Sequence, residues 1–328
     1  MNLSAAALRR IAVALQAAVA LGCAAELHAW HGWPLAAGLL AGIGVVLAIL
    51  GLSVAGAFAF TLRGLGEPAA TRPPIPAAQE ATRPARLTPW QALACYLREY
   101  AAVFRMFNWL QPFCAHRRLR PAKDPFLRPP LLLVHGYGCN HAVWLDMQPA
   151  LAAAGYHCEA IDLDPVFGDI DQYALEVRAA IARIAATTGQ PPLLLCHSMG
   201  GLAARAALAG RGKPPPCRGI VTLGTPHHGS VLARYGRGFN ARQMRCGSAW
   251  LRALAAREMR LAPRQRVALV SIFSWHDSIS GPRGTSWLEG ARHIALGGIG
   301  HVSLLRHPVA TQAVLRALAE LSEVAPAS

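Results

Sequence analysis

The length and composition of the chain exclude an intrinsically disordered protein. It has 328 residues, of which 53% are hydrophobic and 15% are charged, a balance too apolar for disorder. The net charge of +15 raises the question of a polyanionic partner. The basic excess in residues 63–128 directly follows an apolar segment, however, and no nucleic-acid motif accompanies it. We therefore predict contact with anionic lipid headgroups and no nucleic-acid partner, and the oligomeric state stays open.

Two apolar segments near the N-terminus predict membrane helices. Residues 33–62 are free of charge and exceed the about 20 apolar residues that a membrane span needs. Residues 11–30 are less clear, because they carry Gln16, Glu26 and His28. Either the two segments form a transmembrane hairpin with its turn at residues 28–33, or the first is a cleaved signal peptide. We prefer the hairpin, because the second span follows so closely.

The residues after the hairpin predict a linker ahead of a catalytic domain. Residues 64–89 are rich in proline and arginine, which disfavours regular structure. Residues 90–107 have apolar residues at helical spacing and are interpreted as a helix along the membrane surface. The predicted domains are a transmembrane hairpin at 1–62, a basic linker and helix at 63–130, and a catalytic domain at 131–328. The Lys/Arg bias places both hairpin ends and the catalytic domain in the cytoplasm.

From Leu131 onward, alternating patterns predict an α/β fold. Short apolar runs typical of buried strands occupy residues 131–134, 156–163, 192–196, 219–223, 267–273 and 293–296. Helical patterns separate them at residues 141–153, 171–186, 199–209 and 230–261, and a final helix is predicted at 308–321. Units of this length predict a mostly parallel sheet with helices on both faces. Ligands bind at the carboxyl ends of the strands in such sheets.

The stretch around Ser198 predicts a nucleophile. Residues 193–202 read LLLCHSMGGL, which places Ser198 between a buried strand and a helix. A sharp turn of this kind, the nucleophile elbow, exposes the serine hydroxyl, and Gly200 avoids a collision with the neighbouring backbone. Cys196 stands where the usual G-x-S-x-G pattern has its first glycine, a departure that its small size makes tolerable. The alternative is an ordinary serine N-cap.

The first predicted strand ends in a glycine-rich turn, His135-Gly136-Tyr137-Gly138. Acyl transfer needs two donors for the oxyanion, and we assign them to the backbone N–H groups of Tyr137 and Met199. An ordinary strand-ending turn is the alternative. The remaining residues that we expect beside the substrate from this part of the chain are His135, Gly136, Gly138 and His197.

Position along the chain selects the base and the acid. In serine hydrolases with a strand–turn–helix nucleophile, the acid follows the serine and the histidine comes last. His301 lies after the last predicted strand, in a loop whose glycines free it to reach the serine, and His307 is the second choice. Asp277 follows a predicted strand, whereas Glu289 falls in a predicted surface turn. We expect Asp277 to accept the ring N–H of His301 and to stabilise the imidazolium.

Taken together, the residues resemble a bacterial triacylglycerol lipase or esterase of the α/β-hydrolase superfamily. The matching pieces are His135-Gly136-Tyr137-Gly138, His197-Ser198-Met199-Gly200-Gly201, Gly224-Thr225-Pro226-His227-His228-Gly229-Ser230 and Gly300-His301. The resemblance implies that Thr225, Pro226 and His227 border the acyl site. It also implies hydrolysis of a carboxylic, lipid acyl ester through an acyl-enzyme on Ser198, with no metal or organic cofactor. The predicted hairpin lies outside the resemblance and favours the bacterial inner membrane.

Two other functions stay open at this point. An acyltransferase could use the same triad, and a membrane scaffold could keep the fold without activity. Residues 231–261 interrupt the alternating pattern. They are either a cap that opens at a lipid surface or a plain pair of surface helices.

Overall fold

The chain was analysed as a computed structural model, which describes residues 3–65, 75–122, 128–210 and 212–323. Part of the predicted linker at 64–89 and of the proline-rich residues at 121–130 lies outside the described residues. Two long helices come first, a third substantial helix follows, and the sheet begins at Leu131.

A parallel sheet forms the centre of the described residues after Leu131. Its six strands are β1 (Leu131–Val134), β2 (Cys158–Ile161), β3 (Leu193–His197), β4 (Gly219–Leu223), β5 (Leu269–Ser274) and β6 (Arg292–Leu296). Their spatial order is β2-β1-β3-β4-β5-β6, and every neighbouring pair is parallel. The predicted α/β fold with a parallel sheet is thereby confirmed.

Helices cover both faces of this sheet and precede it. In chain order they are α1 (Ala5–His31), α2 (Leu35–Arg63), α3 (Ala77–Glu80), α4 (Pro89–Arg105), α5 (Gln111–Phe113), α6 (Gln148–Ala153), α7 (Ile170–Thr188), α8 (Met199–Leu208), α9 (Gly238–Gln243), α10 (Ala249–Met259) and α11 (Pro308–Glu323). A π-helical turn at Met106–Leu110 joins α4 to α5. Short 3₁₀ helices lie at His141–Trp144, Val231–Arg234, Pro263–Gln265 and Ser303–Leu305.

The alternation of side chains along the strands divides the core between two faces. Leu131 and Leu133 of β1 pack in a cluster with α11, whereas Leu132 and Val134 pack with α7 and α8. Successive side chains of a strand point to opposite faces, so a strand covered on both sides must be apolar throughout. Full burial of each such leucine stabilises the fold by about 1.5–3 kcal/mol.

Two predicted helices are shorter than expected. Residues 141–153 form a 3₁₀ turn and then α6, because Pro149 stands at the start of α6, where its ring cannot follow a preceding helical turn. Residues 230–261 divide into a 3₁₀ turn, α9 and α10. Only the last of these pieces exceeds two turns.

The hairpin of α1 and α2 is packed through small residues. A Cβ atom added to Gly38 would lie 3.0 Å from Ala24 Cα, and one added to Gly42 would lie 2.8 Å from Ala20 Cα. Close approach of this kind is typical of helix pairs in membranes. Both helices are long and apolar enough to cross a bilayer. Their large side chains point outward, with Leu40 71% and Leu52 72% exposed, unlike helices of a buried core.

The base of this hairpin packs against the rest of the protein. Arg9 Nη2 donates to the Gly138 carbonyl at 3.0 Å, and Thr61 Oγ1 donates to the Ser278 carbonyl at 2.9 Å. Gln16, the polar residue that made the first segment ambiguous, accepts a hydrogen bond of 2.8 Å from Asn108 Nδ2. Direct hydrogen bonds therefore join the hairpin to the turn after β1 and to the loop after β5.

Helix α4 has two contrasting faces. Its buried face carries Cys95, Glu99 and Ala102 and packs against the loop around His301. Its exposed large side chains recur at helical spacing, at Trp90, Leu93, Leu97 and Phe104. A helix with one buried face and one exposed apolar face is suited to the surface of a bilayer.

Candidate active site

Ser198 stands at the tip of β3, immediately before α8. Its φ of +55° and ψ of −126° make it the one non-glycine residue with a positive φ in the part of the chain that the structure describes. Such a conformation costs about 1–3 kcal/mol and persists only when the surroundings impose it. The Ser198 N–H donates to the Leu223 carbonyl at 3.0 Å, and Thr225 Oγ1 donates to the Ser198 carbonyl at 2.8 Å. These bonds hold the strained turn.

Two glycines allow the backbone to close around this turn. A Cβ atom on Gly136 would lie 2.8 Å from Ser198 Cβ, and one on Gly200 would lie 2.6 Å from the His135 carbonyl oxygen. The departure at Cys196 has a physical explanation. Cys196 lies in regular strand conformation in β3, where it pairs with Val134 of β1. Its fully buried side chain packs in the cluster with α7 and α8, so this position does not need a conformation that only glycine adopts.

Asp277 and His301 form a buried pair at the ends of neighbouring strands. His301 Nδ1 lies 2.9 Å from Asp277 Oδ2, and the two residues are 3% and 4% exposed. The other carboxylate oxygen, Asp277 Oδ1, accepts the N–H groups of Ile279 at 2.8 Å and Ser280 at 2.6 Å. This arrangement directs Oδ2 at the imidazole. Burial lowers the pKa of His301, but the charge and hydrogen bond of Asp277 and the charge of Glu99 outweigh it, so the pKa is raised.

The nucleophile turn and this pair meet at the carboxyl edge of the sheet. A Cβ atom on Gly224, which ends β4, would lie 3.1 Å from His301 Nδ1 and 3.2 Å from Asp277 Oδ2. Leu223, the residue before it, receives the Ser198 N–H. Ser198 Oγ is not hydrogen-bonded to His301 here. Hydrogen bonds of this type often tighten only when substrate is bound.

The His197 side chain contacts the backbone of His301. Its Nε2 lies 3.3 Å from the His301 carbonyl oxygen, and the two rings are 4.6 Å apart. Burial, followed by the nearby His301 ring, places the pKa of His197 well below its usual value, so this ring is neutral and donates from Nε2. Its contact is with the backbone of His301, whereas the sequence predicted a contact with substrate.

Two further histidines expected beside the substrate have structural partners instead. His135 Nε2 accepts the Leu163 N–H at 2.9 Å, which joins the turn after β1 to the end of β2. The ring nitrogens of His227 face Arg205 at 3.2 Å and Thr222 at 3.3 Å. Both rings are buried and both have a lowered pKa because of burial. That these two side chains border the substrate stays a prediction.

Other residues of the predicted substrate group contact the nucleophile turn or lie next to residues that do. Gly136 contacts Ser198, and Gly138 receives Arg9 from the hairpin. Thr225 supports the nucleophile turn, and Pro226, which follows it, is buried. Their placement brings the turn after β1 and the start of the segment after β4 to the same edge of the sheet.

The two amide groups assigned to the oxyanion belong to Met199, directly after Ser198, and to Tyr137, directly after Gly136. Met199 is the first residue of α8, where backbone N–H groups have no partner within the helix. Tyr137 follows Gly136, and its side chain is fixed by a hydrogen bond to the Arg237 carbonyl and by a ring contact with Phe167. This placement is compatible with the assignment, which stays a prediction.

A groove of about 540 Å³ opens near this turn. It lies between the start of α1, which contributes Leu3 and Leu8, and the apolar side chains of Phe167 and Phe239. The Phe167 ring packs 5.7 Å from that of Tyr137, next to the residue that contacts Ser198. Apolar pockets of this size accommodate small ligands or chains.

Residues 231–261 do not form one cap. Leu254 of α10 is fully buried against α7 and α8, and Arg205 of α8 holds Glu258 at 2.6 Å and 2.8 Å through two hydrogen bonds. By contrast, the segment from Val231 to Gln243 lies near the hairpin base, where Tyr235 packs against Phe60. Residues 231–261 are thus divided between a helix packed on α7 and α8 and a segment near the hairpin, and the choice between a cap and plain surface helices stays open. Among the described residues, no group of His, Cys, Asp or Glu side chains is arranged to hold a metal ion.

Comparisons with known proteins agree with this architecture. A family model described as the α/β-hydrolase fold matches residues 129–245. A search of curated proteins by sequence finds no match. The mature form of a lipase of Bacillus licheniformis is similar in structure, with a TM-score of 0.54 and 19% identity over 61% of this chain and 96% of that one. Lipase B of Aspergillus fumigatus has the same TM-score and identity, over 65% of this chain and 57% of that one. The chain therefore has the α/β-hydrolase fold, and in fold it is similar to these two lipases.

Proposed function

We propose that the protein is a membrane-associated serine hydrolase that cleaves carboxylic esters of fatty acyl chains. The observation that carries the proposal is the strained Ser198 turn, placed at the same sheet edge as the buried Asp277–His301 pair. A non-glycine residue is held in this conformation where function needs its side chain exposed. The names of the similar lipases support the same reaction class.

The proposed reaction follows from the positions of these groups. His301 takes the proton of Ser198 as the hydroxyl oxygen attacks the ester carbonyl carbon. The N–H groups of Tyr137 and Met199 stabilise the oxyanion, and Asp277 stabilises the imidazolium. His301 then protonates the leaving alcohol, which leaves an acyl-enzyme. Water, activated by the same histidine, releases the carboxylic acid and restores Ser198.

The groove between α1 and Phe239 supports an acyl chain as the substrate group. Its walls include the apolar side chains of Phe167 and Phe239 beside the polar Asp169 and Gln172, and Leu8 belongs to the first part of a helix long enough to span a membrane. A lipid chain in this groove would lie against Phe167, whose ring packs on that of Tyr137 in the turn after β1. The exposed apolar face of α4 supports the same orientation at the membrane surface.

Activity on p-nitrophenyl esters of increasing chain length tests the substrate class. We expect kcat/KM to rise with length by up to about fourfold per methylene, since burial of each CH₂ is worth about 0.8 kcal/mol. Phe239→Ala should flatten the rise, because it removes a wall of the groove. Phe113→Ala, which removes an exposed phenylalanine outside the groove, should leave it unchanged. A preference for the shortest ester would contradict an acyl substrate, and transfer of the chain to an added alcohol in place of water would indicate a transferase.

A further inference from the structure

Glu99 is a fully buried carboxylate that lies outside the sheet and its connecting helices. It belongs to α4, and its residue is 0% exposed. Oε1 accepts the Val302 N–H at 2.9 Å and the Ser278 hydroxyl at 2.5 Å, and Oε2 accepts the Ser303 N–H at 2.8 Å. Burial of a charge is unfavourable unless such partners replace water, so three donors on one carboxylate indicate a built site.

The partners of Glu99 are the immediate neighbours of the two residues that form the Asp–His pair. Val302 and Ser303 directly follow His301, and Ser278 directly follows Asp277. Ser278 Oγ also accepts the His301 N–H at 3.3 Å. One side chain of α4 therefore joins the loop of the base to the loop of the acid. The Thr61 hydroxyl of α2 donates a hydrogen bond to the Ser278 carbonyl oxygen.

The Glu99 carboxylate explains why the residue directly before His301, Gly300, is a glycine. A Cβ atom on Gly300 would collide with the carboxyl carbon and Oε2 of Glu99. Any larger residue at this position would force the carboxylate away from the loop. The sequence favoured conformational freedom as the reason for the glycines here. At Gly298, with φ +68°, that reason holds, but at Gly300 the space is needed for Glu99.

We propose that Glu99 is a positioning residue for the reaction of Ser198, which fixes the backbone of His301 relative to Asp277 from a helix outside the catalytic fold. This inference rests on the proposed function. Because α4 also presents an exposed apolar face, the same helix would bind the membrane on one side and hold the catalytic loops on the other.

The charges around His301 provide a second measurable effect of Glu99, on the pH dependence of the reaction. The titratable groups that face its ring or its loop are Asp277, Glu99, the neutral His197 and His276, whose Nδ1 accepts the Gly298 N–H at 3.0 Å. Burial lowers the pKa of His301, and the charges of Asp277 and then Glu99 raise it. Loss of the Glu99 charge should therefore lower this pKa. The acid limb of the kcat/KM profile, where His301 must lose its proton to act as a base, should then move to lower pH.

Glu99→Gln tests the proposal in the full-length, detergent-solubilised protein with a p-nitrophenyl ester. We expect kcat to fall by about 10²-fold with little change in KM, since the group touches the loop and not the substrate. The acid limb should move to lower pH. Glu320→Gln removes the same charge from an exposed ion pair with Arg292 and should change neither quantity. Glu99→Asp, which keeps the charge, should restore the position of the acid limb.

The outcomes separate this proposal from the proposed function. If the wild-type protein hydrolyses the ester through Ser198 while Glu99→Gln keeps its kcat and its acid limb, Glu99 is not a positioning residue. If the wild-type protein has no such activity, the proposed function itself fails. If Glu99→Gln does not fold, Ser278→Ala tests the positioning role instead. Loss of its hydroxyl should lower kcat and leave the acid limb in place, and an unchanged kcat would overturn the proposal.

Discussion

Ser198→Ala is expected to lower kcat for ester hydrolysis by about 10⁴- to 10⁶-fold, the scale seen when a serine nucleophile is removed. Only the hydroxyl is lost, so no acyl-enzyme can form. The residual rate would come from the oxyanion donors and from substrate binding. Steady-state rates on a p-nitrophenyl ester measure the loss.

The same variant should remain folded. The backbone bonds of Ser198 to Leu223 and Thr225 do not involve its hydroxyl, so circular dichroism and the thermal midpoint should stay close to wild type. Ser322→Ala, which removes a hydroxyl on α11, is the matched control and should keep full activity. A Ser198→Ala protein that works at the wild-type rate would mean that another group is the nucleophile.

Asp277→Asn should lower kcat by about 10⁴-fold, because it enforces the wrong tautomer of His301. The geometry gives the reason. Oδ1 of this residue accepts the N–H groups of Ile279 and Ser280, so the amide oxygen of asparagine must take that position. The NH₂ group then faces His301 Nδ1 and donates to it. The ring proton is placed on Nε2, which can no longer accept a proton from Ser198.

Glu289→Gln is the matched control for this loss. Glu289 is exposed in a turn after Leu288, and its neutralisation should leave kcat within about twofold, as surface changes generally do. Both variants are measured on the same ester and in the same detergent. If Glu289→Gln abolished activity and Asp277→Asn preserved it, the assignment of Asp277 as the catalytic acid would be wrong. The assignments of Ser198 and His301 would not be affected by that result.

The parts of the fold that repeat locally could be predicted from the sequence. The apolar run of β1 and the helical spacing of α7 each report their own environment, and both elements are where the sequence placed them to within two residues. Strand ends were less accurate. The run at 156–163 continues past the pairing of β2, because apolar residues also fill the turns on either side.

The contacts that cross the chain could not be predicted in this way. The hydrogen bond from Thr61 to Ser278 joins residues 217 positions apart, and no local pattern records it. The sequence analysis gave no role to Glu99. One signal was present, since Glu99 lies four residues after Cys95 and three before Ala102, on the face that proved to be buried. A lone carboxylate on the apolar face of a helix needs buried donors.

The histidines show a different limit. Thirteen are present, and the sequence singled out His301 by its place in a loop after the last predicted strand. The structure pairs this histidine with Asp277. The ring nitrogens of His135 and His227, by contrast, have partners that only the folded chain brings close. The hydrogen-bond partner of each histidine ring nitrogen can therefore be identified only in the folded structure.

Labelling with a fluorophosphonate, followed by mass spectrometry of the modified peptide, tests the central claim most directly. The probe reacts with a serine only when a base activates its hydroxyl and donors hold the oxyanion. We expect one adduct, on Ser198, that is absent in Ser198→Ala and forms more slowly in Asp277→Asn. An adduct on a different serine, or none on the folded wild-type protein, would contradict the account.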